Sequence, residues 1–143
     1  MKHRIFATVA ILMVAVSSMA ANTPDVQAKL VQTTLPSDMI FFRGPINIQY
    51  QLTITNPSSQ PLTLSRLNLS TVGPGGYRLR TGAIVKTVVP ANGSTTLNLS
   101  AWGSARGGFV RSSEPVEIHG QLWLAPPKGK TFVKQFFQYI PQM

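Results

Sequence analysis

The 143-residue chain contains no cysteine. Disulfides, zinc–thiolate clusters, iron–sulfur sites and thiol nucleophiles are therefore excluded. Acid is nearly as scarce. Asp25, Asp38, Glu114 and Glu117 are its 4 carboxylate side chains, against 13 Lys and Arg, and the formal charge is +9. No spacing among them pairs two carboxylates for glycoside hydrolysis. His3 and His119 are the only histidines; a metal site needs three or four ligands at suitable spacing, and only Glu117 lies near His119. Charged residues make up 12% of the chain, roughly half the ~25% usual in soluble domains. Helical periodicity is almost missing. What remains is a 43% hydrophobic chain of a length that suits one domain.

The first segment reads as an address. Lys2 and Arg4 precede an uncharged apolar run from Ile5 to Val16, followed by small residues at Ser18 and Ala20. This is the layout of a cleavable secretory signal peptide, and the run is short of the ~20 residues a membrane-crossing helix needs. The expected division is a signal peptide over residues 1–21 and a single domain over residues 22–143, with no transmembrane segment in the mature chain. Lacking a cysteine for lipidation, the product is expected in the periplasm or secreted. Removing Lys2 and Arg4 still leaves it strongly basic.

The mature chain reads as strands. Ile46, Ile48, Tyr50, Leu52 and Ile54 alternate with Asn47, Gln49, Gln51, Thr53 and Thr55, which predicts a strand with one buried and one wet face. Asn56-Pro57-Ser58-Ser59 ends it with turn chemistry. Leu62 and Leu64 share one phase and Leu67 and Leu69 the other, so a β-bulge is expected at Ser65-Arg66. Val26, Ala28 and Leu30, then Tyr77 and Leu79, residues 83–89, residues 95–100 and residues 116–124 give further strands, separated by Gly73-Pro74-Gly75-Gly76, Asn92-Gly93 and Pro126-Pro127-Lys128-Gly129-Lys130. About seven to nine strands with turns every 8–12 residues predict an all-β, antiparallel, immunoglobulin-like (fibronectin-III-like) β-sandwich. Tyr50, Leu52, Ile54, Leu97, Leu99, Ile118 and Leu122 are its expected core. Residues 131–140 could form a helical face or a strand, and the preceding turn favours a strand. Its side with the longer apolar reach, Val133, Phe137 and Tyr139, is assigned to the core. That leaves Phe132 and Phe136 exposed as a partner or membrane contact.

The order of these motifs resembles the type-2 late embryogenesis abundant family and its bacterial water-stress (WHy-type) relatives. The features that carry the resemblance are the alternating strand into Asn56-Pro57, the Leu-rich strand of residues 62–69, Gly82 before an apolar strand, Pro90-Ala91-Asn92-Gly93-Ser94 before another alternating strand, and His119-Gly120-Gln121-Leu122. The chain departs from the pattern at Ser58 and across residues 103–108. The resemblance implies a non-enzymatic, stress-related module with no catalytic residues and no cofactor.

A search for chemistry gives the same direction. Glu117 and His119 share a strand face but lack further ligands. Residues 103–108 lack the Lys of a phosphate-binding loop, and no Ser sits in a nucleophile-elbow motif. The expectation is a binding module that is not an enzyme; an enzyme of unrecognised type is the minor alternative.

Charge distribution is the more informative signal. Residues 39–113 hold no acid but contain Arg43, Arg66, Arg78, Arg80, Lys86, Arg106 and Arg111. Arg66, Arg78, Arg80, Lys86, Arg106 and Arg111 are the candidate anion-binding residues, since a guanidinium suits bidentate contact with carboxylate or phosphate. Expected partners are anionic lipid, an acidic polysaccharide or an envelope protein. Nucleic acid is disfavoured by the export signal. The alternative is a subunit of a surface assembly joined by strand addition. The uncharged residues 46–55 would be poorly defended at a sheet edge.

Overall fold

The computed structural model describes residues 23–34, 45–105 and 114–141. Within them lie seven strands and no helix: β1 (Gln27–Gln32), β2 (Pro45–Asn56), β3 (Leu62–Val72), β4 (Tyr77–Val89), β5 (Gly93–Ala105), β6 (Val116–Ala125) and β7 (Phe132–Ile140). Residues 1–21, read from the sequence as a signal peptide, the apolar run at residues 39–42, and Arg43, Arg106 and Arg111 lie outside the described residues.

All neighbours are antiparallel, in the order β1-β2-β5-β4-β3-β6-β7. β4 divides this sheet. Its first residues, 77–79, pair with residues 103–105 of β5. From Arg80 onward its ladder is with β3. The result is a β1-β2-β5 layer facing a β4-β3-β6-β7 layer, the fibronectin-III arrangement, folded far enough to bring β1 beside β7. There the Leu30 N–H donates to Gln138 Oε1 at 3.3 Å, and Lys134 Nζ lies 3.5 Å from Asp25.

The alternation in β2 holds without exception: Ile46, Ile48, Tyr50, Leu52 and Ile54 are buried. β2 is not an edge strand, however. It pairs with β1 on one side and with β5 on the other, so its uncharged backbone needs no defence. The expected bulge is present. The register of β3 shifts between Leu64 and Arg66 against both neighbours. That single slip puts Leu62, Leu64, Leu67 and Leu69 on the same buried face despite their opposite phases.

Leu97 and Leu99 are only partly buried, contrary to expectation, because β4 leaves β5 beyond Leu79 and exposes that side of the layer. The assignment of β7 is reversed. Phe136 is 8% exposed and joins the core, with Phe132 packed against it. Val133, Phe137 and Tyr139 face outward. The cause lies on β6. Gly120 is the cross-strand partner of Phe136, and a Cβ there would overlap the Phe136 ring. The ring thus fills the space of the absent side chain. The partner-contact role expected of Phe132 and Phe136 is therefore withdrawn.

Among the described residues, Asn56 is a fully buried polar residue of the core. Its Nδ2 donates to Gln60 O at 2.8 Å and Pro90 O at 3.2 Å. Its Oδ1 accepts from the Ser58 N–H at 3.0 Å and the Ser58 hydroxyl at 2.7 Å. One amide thus ties the β2–β3 turn to the β4–β5 turn, where Asn92 takes φ 50°, a conformation asparagine tolerates better than most residues.

Candidate anion-binding seam

The place where β4 changes layers is built by three local features. Past the last β3–β4 ladder pair, Ser70 and Arg80, Thr71 Oγ1 accepts the Leu79 N–H at 3.1 Å, so a side chain takes over from the backbone ladder. Gly103 lets β5 close in: a Cβ there would lie 2.9 Å from Ile48 Cδ1 and 3.1 Å from Arg78 O. Tyr77 anchors the strand below. Its hydroxyl donates to Gln32 Oε1 at 2.8 Å and accepts from the Tyr50 hydroxyl at 2.6 Å. Burial pushes the Tyr77 pKa up to about 12. Tyr50 is raised further by burial, with the neighbouring Tyr77 adding to it. Both rings stay neutral at physiological pH, as buried structural groups should.

With Tyr77 and Leu79 buried, alternation turns Arg78 and Arg80 outward to solvent. They line an open recess of about 670 Å³ together with Ser70, Thr71, Trp102 and Ser104. A second recess of about 710 Å³ continues from Ser70 and Arg80 over Asn68, Gly82 and Gln121 to Arg66. Arg66 lies over the Trp123 ring at 5.0 Å from its centroid. Stacking engages the face of the guanidinium and leaves its in-plane N–H donors to meet an anion. Among the described residues, none of these three arginines is paired with a carboxylate, and no acid lines either recess.

Of the sequence candidates, Arg66, Arg78 and Arg80 come together. Lys86 lines neither recess, although it lies only two residues along β4 from Ile84, the cross-strand partner of Arg66. Trp102, at the β5 end of the first recess, is 65% exposed. Its position was legible, because it falls between buried Ala101 and Gly103. The contribution of Ser70 was not, because it depends on the β3–β4 register.

Glu117 and His119 share the outer face of β6 but make no acid–base pair. His119 Nε2 hydrogen-bonds Gln135 Oε1 at 3.0 Å, and its ring stacks on Phe137 at 4.7 Å. Among the described residues, no three metal-ligating side chains gather, and no helix is long and apolar enough to cross a membrane. The Asn68 Oδ1 is buried without a hydrogen-bond partner. It packs against Gly82, where a Cβ would approach it to 2.7 Å, so glycine at that position makes room for the asparagine.

No protein-family model matches the sequence, and no curated protein does. Solved structures do match in fold. The structural-genomics target SoR45 superposes with a TM-score of 0.53 at 12% identity, over 84% of this chain and 86% of that one. The ApaA protein from Bordetella pertussis gives a TM-score of 0.53 at 15% identity, over 84% of this chain and 97% of that one. A late embryogenesis abundant protein solved in solution is also similar, with a TM-score of 0.43 at 11% identity, over 88% and 77% of the two chains. The relation is a distant one of fold. It carries no residue roles to this chain.

Proposed function

We propose that this protein is an exported, non-enzymatic binding module of the cell envelope that contacts anionic partners through Arg66, Arg78 and Arg80. The observation that carries the reading is the convergence of these arginines, without carboxylate partners among the described residues, on two recesses that share Ser70 and Arg80. A guanidinium on a structural surface is normally satisfied by a nearby acid or by water. Three in succession, one held flat by an indole, form a surface prepared for charge-assisted hydrogen bonds. A protective role under stress is consistent with the sequence resemblance and requires only binding.

Retention on a sulfated matrix tests it. Each basic group near an anionic surface contributes about 1 kcal/mol and is screened over about 8–10 Å at physiological salt. Arg66→Ser with Arg80→Ser is expected to lower the eluting salt concentration more than Lys128→Ser with Lys130→Ser, which changes charge equally at the opposite turn. Equal elution of the two variants would mean that net charge alone is responsible and would overturn the proposal.

The alternative of strand addition draws on a different feature. Among the described residues, the side of β4 facing β5 has no ladder partner beyond residues 77–79, and β5 is likewise open. A protein that assembles this way should self-associate in light scattering, and Val85→Pro on the open edge should abolish the association. A monomer at high concentration removes this reading.

A further inference from the structure

The two recesses share Ser70 and Arg80 and form one track. Along β3 it runs from Arg66 to Thr71, roughly 16 Å at 3.3 Å per residue. A lone phosphate or small dicarboxylate would cover only part of that length. The lining alternates cations with neutral hydrogen-bonding groups: Ser104 beside Arg78, Ser70 beside Arg80, and Gln121 between Arg80 and Arg66. At the β5 end stands Trp102, its indole largely in solvent. The core is filled by the opposite face of β5, so packing does not require an indole there.

We infer that the track binds an acidic polysaccharide, with its carboxylates on Arg66, Arg78 and Arg80 and a sugar ring stacked on Trp102. The inference rests on the anion-contact reading above and names its ligand class. Such a chain presents carboxylates for the guanidiniums, hydroxyls that donate and accept for the serines and the glutamine, and apolar C–H faces for an indole. Other polyanions match less of the lining. A lipid surface needs apolar side chains beside each cation; Ile84, 92% exposed, stands opposite Arg66, but Phe137 and Tyr139 lie on β7 and do not line the track, so the Arg78 and Arg80 end offers Trp102 alone as a large exposed hydrophobic. A single-stranded nucleic acid needs successive aromatic platforms. Here one ring is open, and Trp123 is covered by Arg66.

The test measures binding of the full chain at fixed ionic strength to polygalacturonate, dextran, inorganic polyphosphate and phosphatidylglycerol vesicles. Polygalacturonate is expected to bind about tenfold more tightly than polyphosphate or the vesicles, and dextran not detectably. Trp102→Ala should weaken polygalacturonate binding about tenfold and leave polyphosphate binding unchanged. Trp102→Phe should retain most of it, while Arg78→Ser with Arg80→Ser should weaken both polyanions. A thermal transition matching the parent confirms that each variant is folded, as the exposure of all three positions leads one to expect. If polyphosphate or vesicles bind as tightly as polygalacturonate, or if Trp102→Ala binds polygalacturonate normally, the polysaccharide assignment is wrong while the anion-contact reading stands. If no polyanion binds even at low salt, both fall.

Discussion

Strands β2 and β7 obey the same period-two rule, but only one of them declares its buried face. In β2 every inward residue is apolar and every outward one is Asn, Gln or Thr across residues 46–55. In β7 both faces mix aromatic and polar groups. Phe132, Lys134, Phe136, Gln138 and Ile140 point in, while Val133, Gln135, Phe137 and Tyr139 point out. Counting apolar reach selects the wrong side. What decides is the surroundings. Gly120 opens a slot for Phe136. Lys134 and Gln138 sit where the open side of β7 approaches β1, so the ammonium reaches Asp25 and the amide takes the Leu30 N–H. A strand with a polar face specifies itself, whereas one with two mixed faces is specified by its neighbours.

Breaking the core on each strand should give the largest effects. Phe136→Ala is expected to cost about 3–5 kcal/mol and Leu52→Ala about 2–5 kcal/mol in chemical denaturation. Comparable losses would place β7 on a par with β2. A loss for Phe136→Ala smaller than that for Phe137→Ala would reverse the faces again.

The glycine slot sharpens the comparison. Gly120→Ala should destabilise by about 1–3 kcal/mol through overpacking against the Phe136 ring. Combining it with Phe136→Leu should cost less than the sum of the single changes, since the two residues compete for one volume. Simple additivity in that cycle would show that the ring does not occupy the slot.

Alkaline titration probes the β2 end. The folded pKa of Tyr77, about 12, and that of Tyr50 both lie above the ordinary 10.0. The folded state therefore holds these protons after the unfolded chain has released them. Stability is complete below pH 10 and falls as pH rises through 12, by up to about 1.4 kcal/mol per pH unit for each tyrosine. Tyr50→Phe should flatten that fall, as followed by thermal transitions between pH 9 and 12. An unchanged slope would place the titrating groups elsewhere.

The smallest effect is expected on the outer face of β7. Phe137 is 63% exposed, so Phe137→Ser should alter stability by no more than about 0.5 kcal/mol, although it removes the stacking partner of His119. A loss of several kcal/mol would contradict the outward placement.

Most of the scaffold was legible in order along the chain. The Ile46-to-Ile54 alternation named a buried face, the phase slip at Ser65-Arg66 named a bulge, and Asn92-Gly93 and Pro126-Pro127 named turns, because each depends on residues a few positions apart. The site was legible only in part. The acid-free stretch pointed to Arg66, Arg78 and Arg80, and alternation turned them outward. Their assembly with Ser70 and Trp102 depends on where β4 leaves β5 for β3. That crossing is set by Gly103 against Arg78 and by Thr71 holding Leu79, contacts between residues far apart in the chain. Periodicity along one strand fixes which side of it is wet. Which strands lie beside it, and hence which wet residues share a surface, is decided by complementary volumes such as Gly120 and Phe136 that meet only once the layers close.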